Sequence, residues 1–106
     1  MEAWNRVVAV DDFPPGSCRR LLVDGVAMAV FNVDGRYCAI EDVCSHEAET
    51  LSTGRRDGLE IICPRHAARF SLVTGAALSP PAYEPIAIFP VRIANGWVEV
   101  RDDRFD

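Results

Sequence analysis

The chain has 106 residues, 49% of them apolar and 25% charged, which fits one globular domain and is too apolar for a disordered segment. Its net charge of −5 argues against nucleic acid as a partner, since that binding depends on neutralising phosphates with Lys and Arg. The longest apolar stretch, Val26 to Val33, is far shorter than a membrane-spanning helix needs, and the first thirteen residues do not read as a signal peptide. A cytoplasmic protein without nucleic-acid or membrane partners is expected, with its four cysteines reduced or bound to metal rather than joined in disulfides.

In chain order, Asn5 to Val10 is β-rich and stops at the breaker run Asp11-Asp12-Phe13-Pro14-Pro15-Gly16. Ser17 to Val23, Val26 to Val33 and Arg36 to Glu41 are separated by Asp24-Gly25 and Asp34-Gly35. Asp-Gly between apolar runs predicts tight hairpins, hence a three-stranded meander. From Val43 to about Tyr83 the chain is rich in Gly, Pro, Ser and Thr, with one possible turn near Glu47 to Leu51. Regular alternation then returns in Ile86 to Ala94, with Pro90 at an edge or bulge, and in Trp97 to Arg101 across Asn95-Gly96. Val91, Ile93, Trp97, Val98 and Val100 are expected to face the core. Many short strands and turn signals predict an all-β fold, an antiparallel sandwich or barrel. Within this single domain of residues 1–106, residues 43–83 form a small subdomain of loops and short strands that presents a site.

The chemistry-bearing residues lie in that stretch. Cys44-Ser45-His46 and Cys63-Pro64-Arg65-His66 are separated by sixteen residues and contain both histidines of the chain. Each pair brings one soft sulfur and one imidazole nitrogen onto a short loop. Two such pairs can hold a metal centre, and structural zinc is one reading of them. Zinc fingers usually pair Cys with Cys and His with His, whereas each loop here carries one of each. Cys38, in a predicted strand, is expected to be a small buried hydrophobe, and Cys18 is also assigned to packing. Glu47, Glu49 and Asp57 are expected to be solvated surface.

The pattern C-x-H, spacer, C-x-x-H resembles that of the Rieske family. So do Leu51, Gly54 and Gly58 in the spacer, the run Ile61-Ile62-Cys63-Pro64, Phe70, and Thr74-Gly75. The similarity runs from about Trp4 to Arg101. It implies the Rieske fold and one 2Fe–2S cluster, with Cys44 and Cys63 on the inner iron and His46 and His66 on the outer one. It also implies that Ser79-Pro80-Pro81-Ala82 covers the cluster. In Rieske subunits of respiratory complexes, two further cysteines form a disulfide and a Ser and a Tyr donate hydrogen bonds to the cluster. The corresponding positions here are Glu49 and Arg65, then Ala68 and Phe70. The resemblance therefore implies a disulfide-free centre near the low end of the Rieske range, roughly −150 mV.

The short, soluble form is similar to the ferredoxin component of bacterial ring-hydroxylating dioxygenases, such as those for biphenyl or carbazole. That implies a non-catalytic one-electron carrier. Its partners would be a flavin-dependent reductase fed by NAD(P)H and a terminal Rieske oxygenase, both docking transiently near His46 and His66. A small subunit of an assimilatory nitrite reductase shares the frame and is the alternative within the family. A zinc-stabilised interaction module is the alternative outside it.

Overall fold

The computed structural model describes residues 4–45 and 50–104. His46, Glu47 and Glu49, and with them most of the turn expected near Glu47 to Leu51, lie outside the described residues. In chain order the strands are β1 (Asn5–Ala9), β2 (Cys18–Val23), β3 (Val26–Val33), β4 (Arg36–Glu41), β5 (Arg56–Asp57), β6 (Glu60–Ile62), β7 (Arg69–Ser71), β8 (Ile88–Phe89), β9 (Val91–Ala94) and β10 (Trp97–Val100). Among the described residues the only helical turns are two short 3-10 turns, Val10–Asp12 and Leu51–Thr53. No helix among them is long and apolar enough to cross a membrane.

The strands form three antiparallel sheets, ordered β1-β10-β9, β2-β3-β4-β8 and β5-β6-β7. The expected meander is the heart of the second. Its turns place Asp24 and Gly25 at φ 50° and 83°, and Asp34 and Gly35 at φ 53° and 92°. Positive φ at both central residues matches the right-handed twist of the flanking strands, and Asp and Gly adopt it at least cost.

β3 is buried from Met28 to Val33 because both of its faces are covered. Ala29, Phe31 and Val33 point into one core, shared with Ile40, Leu51 and Phe70. Met28 and Val30 point the other way, into a second core with Phe13, Phe89, Val98 and Val100. Alternation along a strand sends successive side chains to opposite faces, so a continuous apolar run is what a two-sided strand needs.

The C-terminal strands differ from the expectation in two ways. The run Ile86 to Ala94 is not one strand. β8 pairs with β4 in the second sheet, β9 pairs with β10 in the first, and Pro90 is the corner between them. Proline has no N–H to give to a ladder, so the chain changes sheets there. Ile93 lies on the core-facing side with its ladder partner Val98, but on a strand at the edge of its sheet it is left 49% exposed. Trp97 cannot share a face with Val98 and Val100, which are fully buried. Trp97 lies on the opposite face, where the Arg6 guanidinium sits 5.0 Å from its ring. Glu99 shares that outer face and is buried, bonded to Arg92 at 2.7 Å and 3.8 Å from Arg6.

The stretch from Val43 to Tyr83 is more ordered than its composition suggests. The small sheet β5-β6-β7 lies within it, and the candidate site draws on the chain before that sheet and on the loop between β6 and β7.

Candidate metal centre

Two loops leave the scaffold side by side. The first follows β4. The Asp42 amide donates to the Ala27 carbonyl at 2.9 Å, fixing the chain to β3 just before the loop begins. Cys44, two residues on, is 1% exposed. Exposed Ser45 donates its hydroxyl to the Glu84 carbonyl at 2.5 Å.

The second loop joins β6 to β7. The Cys63 amide donates to the Ala68 carbonyl at 2.8 Å, and the Ala67 amide donates back to the Cys63 carbonyl at 3.0 Å. This closes a tight loop in which Ala67 takes a positive φ of 60°. Cys63 is 2% exposed, while Pro64, Arg65, His66 and Ala67 form the exposed tip.

Cys44 and Cys63 thus come together in one apolar core, with Leu51, Ala68 and Phe70. His66 stands on the rim of a cleft of about 370 Å³ whose lining includes Gly54, Arg55, Ile62 and Cys63. No disulfide links any of the four cysteines. Among the described residues no three His, Cys, Asp or Glu side chains converge on one point. A centre of two bridged irons does not ask for that, because each iron takes only two side chains.

The donor set suits such a centre. Two ferric ions and two sulfides carry two positive charges, and two thiolates cancel them. The oxidised group is then neutral, and burial of Cys44 and Cys63 in an apolar core costs no net charge. An exposed imidazole on the same loop suits the outer iron. Ala68 and Phe70 are fully buried beside Cys63, and neither has a hydroxyl to donate.

The proline segment is pinned at several points. The Leu78 amide donates to the Arg69 carbonyl at 2.7 Å, the Arg69 amide donates to the Ser79 hydroxyl at 3.0 Å, and Ala82 is buried. With the Ser45–Glu84 bond, these contacts hold residues 78–84 against Ser45 of the first loop and against Arg69, where the second loop enters β7. Pro80 is exposed and Pro81 half-buried.

Asp57 is exposed, and its carboxylate accepts from Arg69 at 3.1 Å; Arg69 also reaches Glu60 at 3.2 Å. Cys38 is buried, and burial pushes its thiol up. Cys18 is half-buried; burial first, then the nearby Asp42 charge, pushes its thiol up to about 11 against the pull of Arg20 and Arg19.

Sequence reasoning missed Asp42 and Ser52. The Asp42 carboxylate accepts from the Ser52 amide at 2.7 Å, from the Ser52 hydroxyl at 2.6 Å and from Arg20 Nε at 3.0 Å. The sequence offered little signal, because Asp42 follows another acid, Glu41, at the end of β4, and such a pair reads as ordinary solvated surface.

Comparison with known proteins agrees with this geometry. The model of the Rieske [2Fe-2S] domain matches residues 3–90. The chain is 36% identical over 104 residues to ferredoxin CarAc of Metapseudomonas resinovorans, covering 97% of both chains. It is 37% identical over 91 residues to the biphenyl dioxygenase ferredoxin subunit of a Pseudomonas strain, covering 85% of this chain and 84% of that one. Among solved structures, a chain from a complex of reduced oxygenase and oxidised ferredoxin in carbazole 1,9a-dioxygenase superimposes with a TM-score of 0.86. The identity there is 38%, and the match covers 92% of this chain and 91% of the other. The likeness spans the frame and both Cys/His loops, and the chain belongs to the Rieske [2Fe–2S] domain family.

Proposed function

We propose that this chain is the one-electron carrier of a multicomponent aromatic-ring dioxygenase, with Cys44 and Cys63 holding the inner iron of its Rieske cluster and His46 and His66 the outer one. It takes electrons from an NAD(P)H-dependent flavin reductase and passes them to a terminal Rieske oxygenase. It acts in the cytoplasm as a single domain of residues 1–106, with residues about 43–83 as the cluster-binding part. It is a carrier and not a catalyst. When bound, the cluster supplies a centre that gains and loses one electron.

The observation that carries this reading is the pairing of two buried thiols, Cys44 and Cys63, with an exposed imidazole, His66, on the loop of the second. Cys44 and Cys63 keep the inner side dry, within the apolar core. His66 stands at the surface, where a partner can approach. Ala68 and Phe70 withhold the hydrogen bonds that would favour the more negative reduced state, which supports a potential near the low end, roughly −150 mV. The relatives named for dioxygenase ferredoxins support the choice of partners. Docking near His66 is expected to be brief, through the small interface usual for redox encounters, below about 1,200 Å².

Electron paramagnetic resonance of the dithionite-reduced protein tests the ligand set. A low average g value, as mixed Cys and His ligation gives, is expected, and His66→Cys is expected to move the spectrum toward the all-thiolate kind. A colourless protein holding zinc, or an unchanged His66→Cys spectrum, overturns the assignment.

A further inference from the structure

Among the described residues, the Asp42 side chain ties the start of the first loop to its end. Asp42 and Ser52 lie on either side of residues 43–51, and no strand pairing joins the two ends. Both Asp42 oxygens are engaged, one by the Ser52 amide and the other by the Ser52 hydroxyl and Arg20 Nε. The Asp42 side chain is 1% exposed, whereas that of Arg20 is 58% exposed. Just inside the closure, Leu51 is fully buried in the core that holds Cys44.

We propose that Asp42 is the positioning residue of the first ligand loop and, as a fixed buried charge, lowers the potential of the site. The inference rests on the cluster assignment above and goes beyond it. Holding both ends of a short loop restricts the arrangements open to the chain between them, Cys44 included. A neutral side chain could close the loop, but it could not add a charge. The Asp42 carboxylate is two residues from Cys44, and its field is screened far less than that of half-exposed Arg20. An added electron therefore meets a negative charge already in place, which disfavours reduction.

The charge and the closure can be separated with the holoprotein. Midpoint potentials come from protein-film voltammetry, and cluster retention from the decay of visible absorbance under an iron chelator. Asp42→Asn is expected to raise the potential, since it removes the negative charge. Arg20→Gln is expected to lower it, since it removes the compensating cation, although both variants weaken the same contact. A purely structural role moves both in one direction or neither.

Ser52→Ala leaves the charge in place and is expected to lose the cluster about tenfold faster, the effect of one lost charge-assisted hydrogen bond. Ser52→Thr is expected to restore the native rate. Arg20→Gln carries the potential test if Asp42→Asn does not fold. Shifts of the same sign, or none, overturn the electrostatic role, and a native decay rate in Ser52→Ala overturns the closure. A native protein without the mixed-ligand spectrum overturns the assignment above and this inference with it. A native spectrum with unmoved variants overturns this inference alone.

Discussion

Gly54 has ordinary extended backbone, at φ −81° and ψ 178°, so its lack of a side chain is a matter of space. An added Cβ would fall on the Ile62 carbonyl oxygen and lie 3.1 Å from both the Ile62 carbonyl carbon and Pro64 Cδ. Those atoms lead into and out of Cys63. Gly54→Ala is therefore expected to destabilise the protein by about 1–3 kcal/mol through overpacking, and to lower its iron content. Urea denaturation and iron analysis of the purified variant check both. At Ala68 the opposite kind of change is informative. Ala68→Ser offers the site a hydroxyl donor, and one net hydrogen bond favouring the reduced state corresponds to a rise of about 40 mV. Voltammetry reads that directly.

Cys18 makes a prediction on pH. Its thiol ionises at about 11 in the native state, against an ordinary value of 9.0. Below pH 9.0 both states keep the proton, and stability is unaffected. Above it the unfolded chain loses the proton first, so stability declines from pH 9.0 until the native thiol ionises too. Cys18→Ser is expected to flatten that part of a denaturation-against-pH curve.

At the scale of elements, Asn32 shows how a hairpin is tied to the chain before it. Its side-chain amide donates to the Phe13 carbonyl at 2.7 Å, and its oxygen accepts from the Gly35 amide at 2.8 Å. Asn32→Ala leaves both backbone groups short of a partner, and a loss of about 2 kcal/mol in a urea titration is expected. β3 and β4 were legible in the sequence to the residue, because Asp-Gly turns bound them at defined points. β5, β6 and β7 were not, since strands of two or three residues owe their form to the neighbours they pair with. Cys44, Cys63 and His66 were singled out by type and spacing, and the fold brings the two cysteines into one core with His66 on the loop of the second. The Asp42–Ser52 contact was not, because ten residues of loop separate the partners and only the path of the chain brings them together. The exposure of Ile93 was missed for a related reason: nothing in a strand's own pattern says that no layer covers it.

At the scale of the molecule, the two cores divide the labour. One contains Cys44 and Cys63 together with residues of β3 and β4; the other packs those strands against the first sheet. Removing the cluster is therefore expected to loosen the two ends unequally. In hydrogen exchange of the apoprotein, amides within residues 43–83 are expected to exchange faster. Those of Met28, Val30 and Ala39 are expected to keep most of their protection. Equal loss at both ends would show that the cores fold as one unit.

Because β3 serves two cores at once, a slip of one residue in its pairing would exchange their contents, sending Phe31 where Val30 belongs. Variation in this strand is thus confined to swaps compensated on both sides. Divergence toward new partners is left to exposed positions around the iron end, such as Thr53, Arg55 and Tyr83, which can change without disturbing that shared wall.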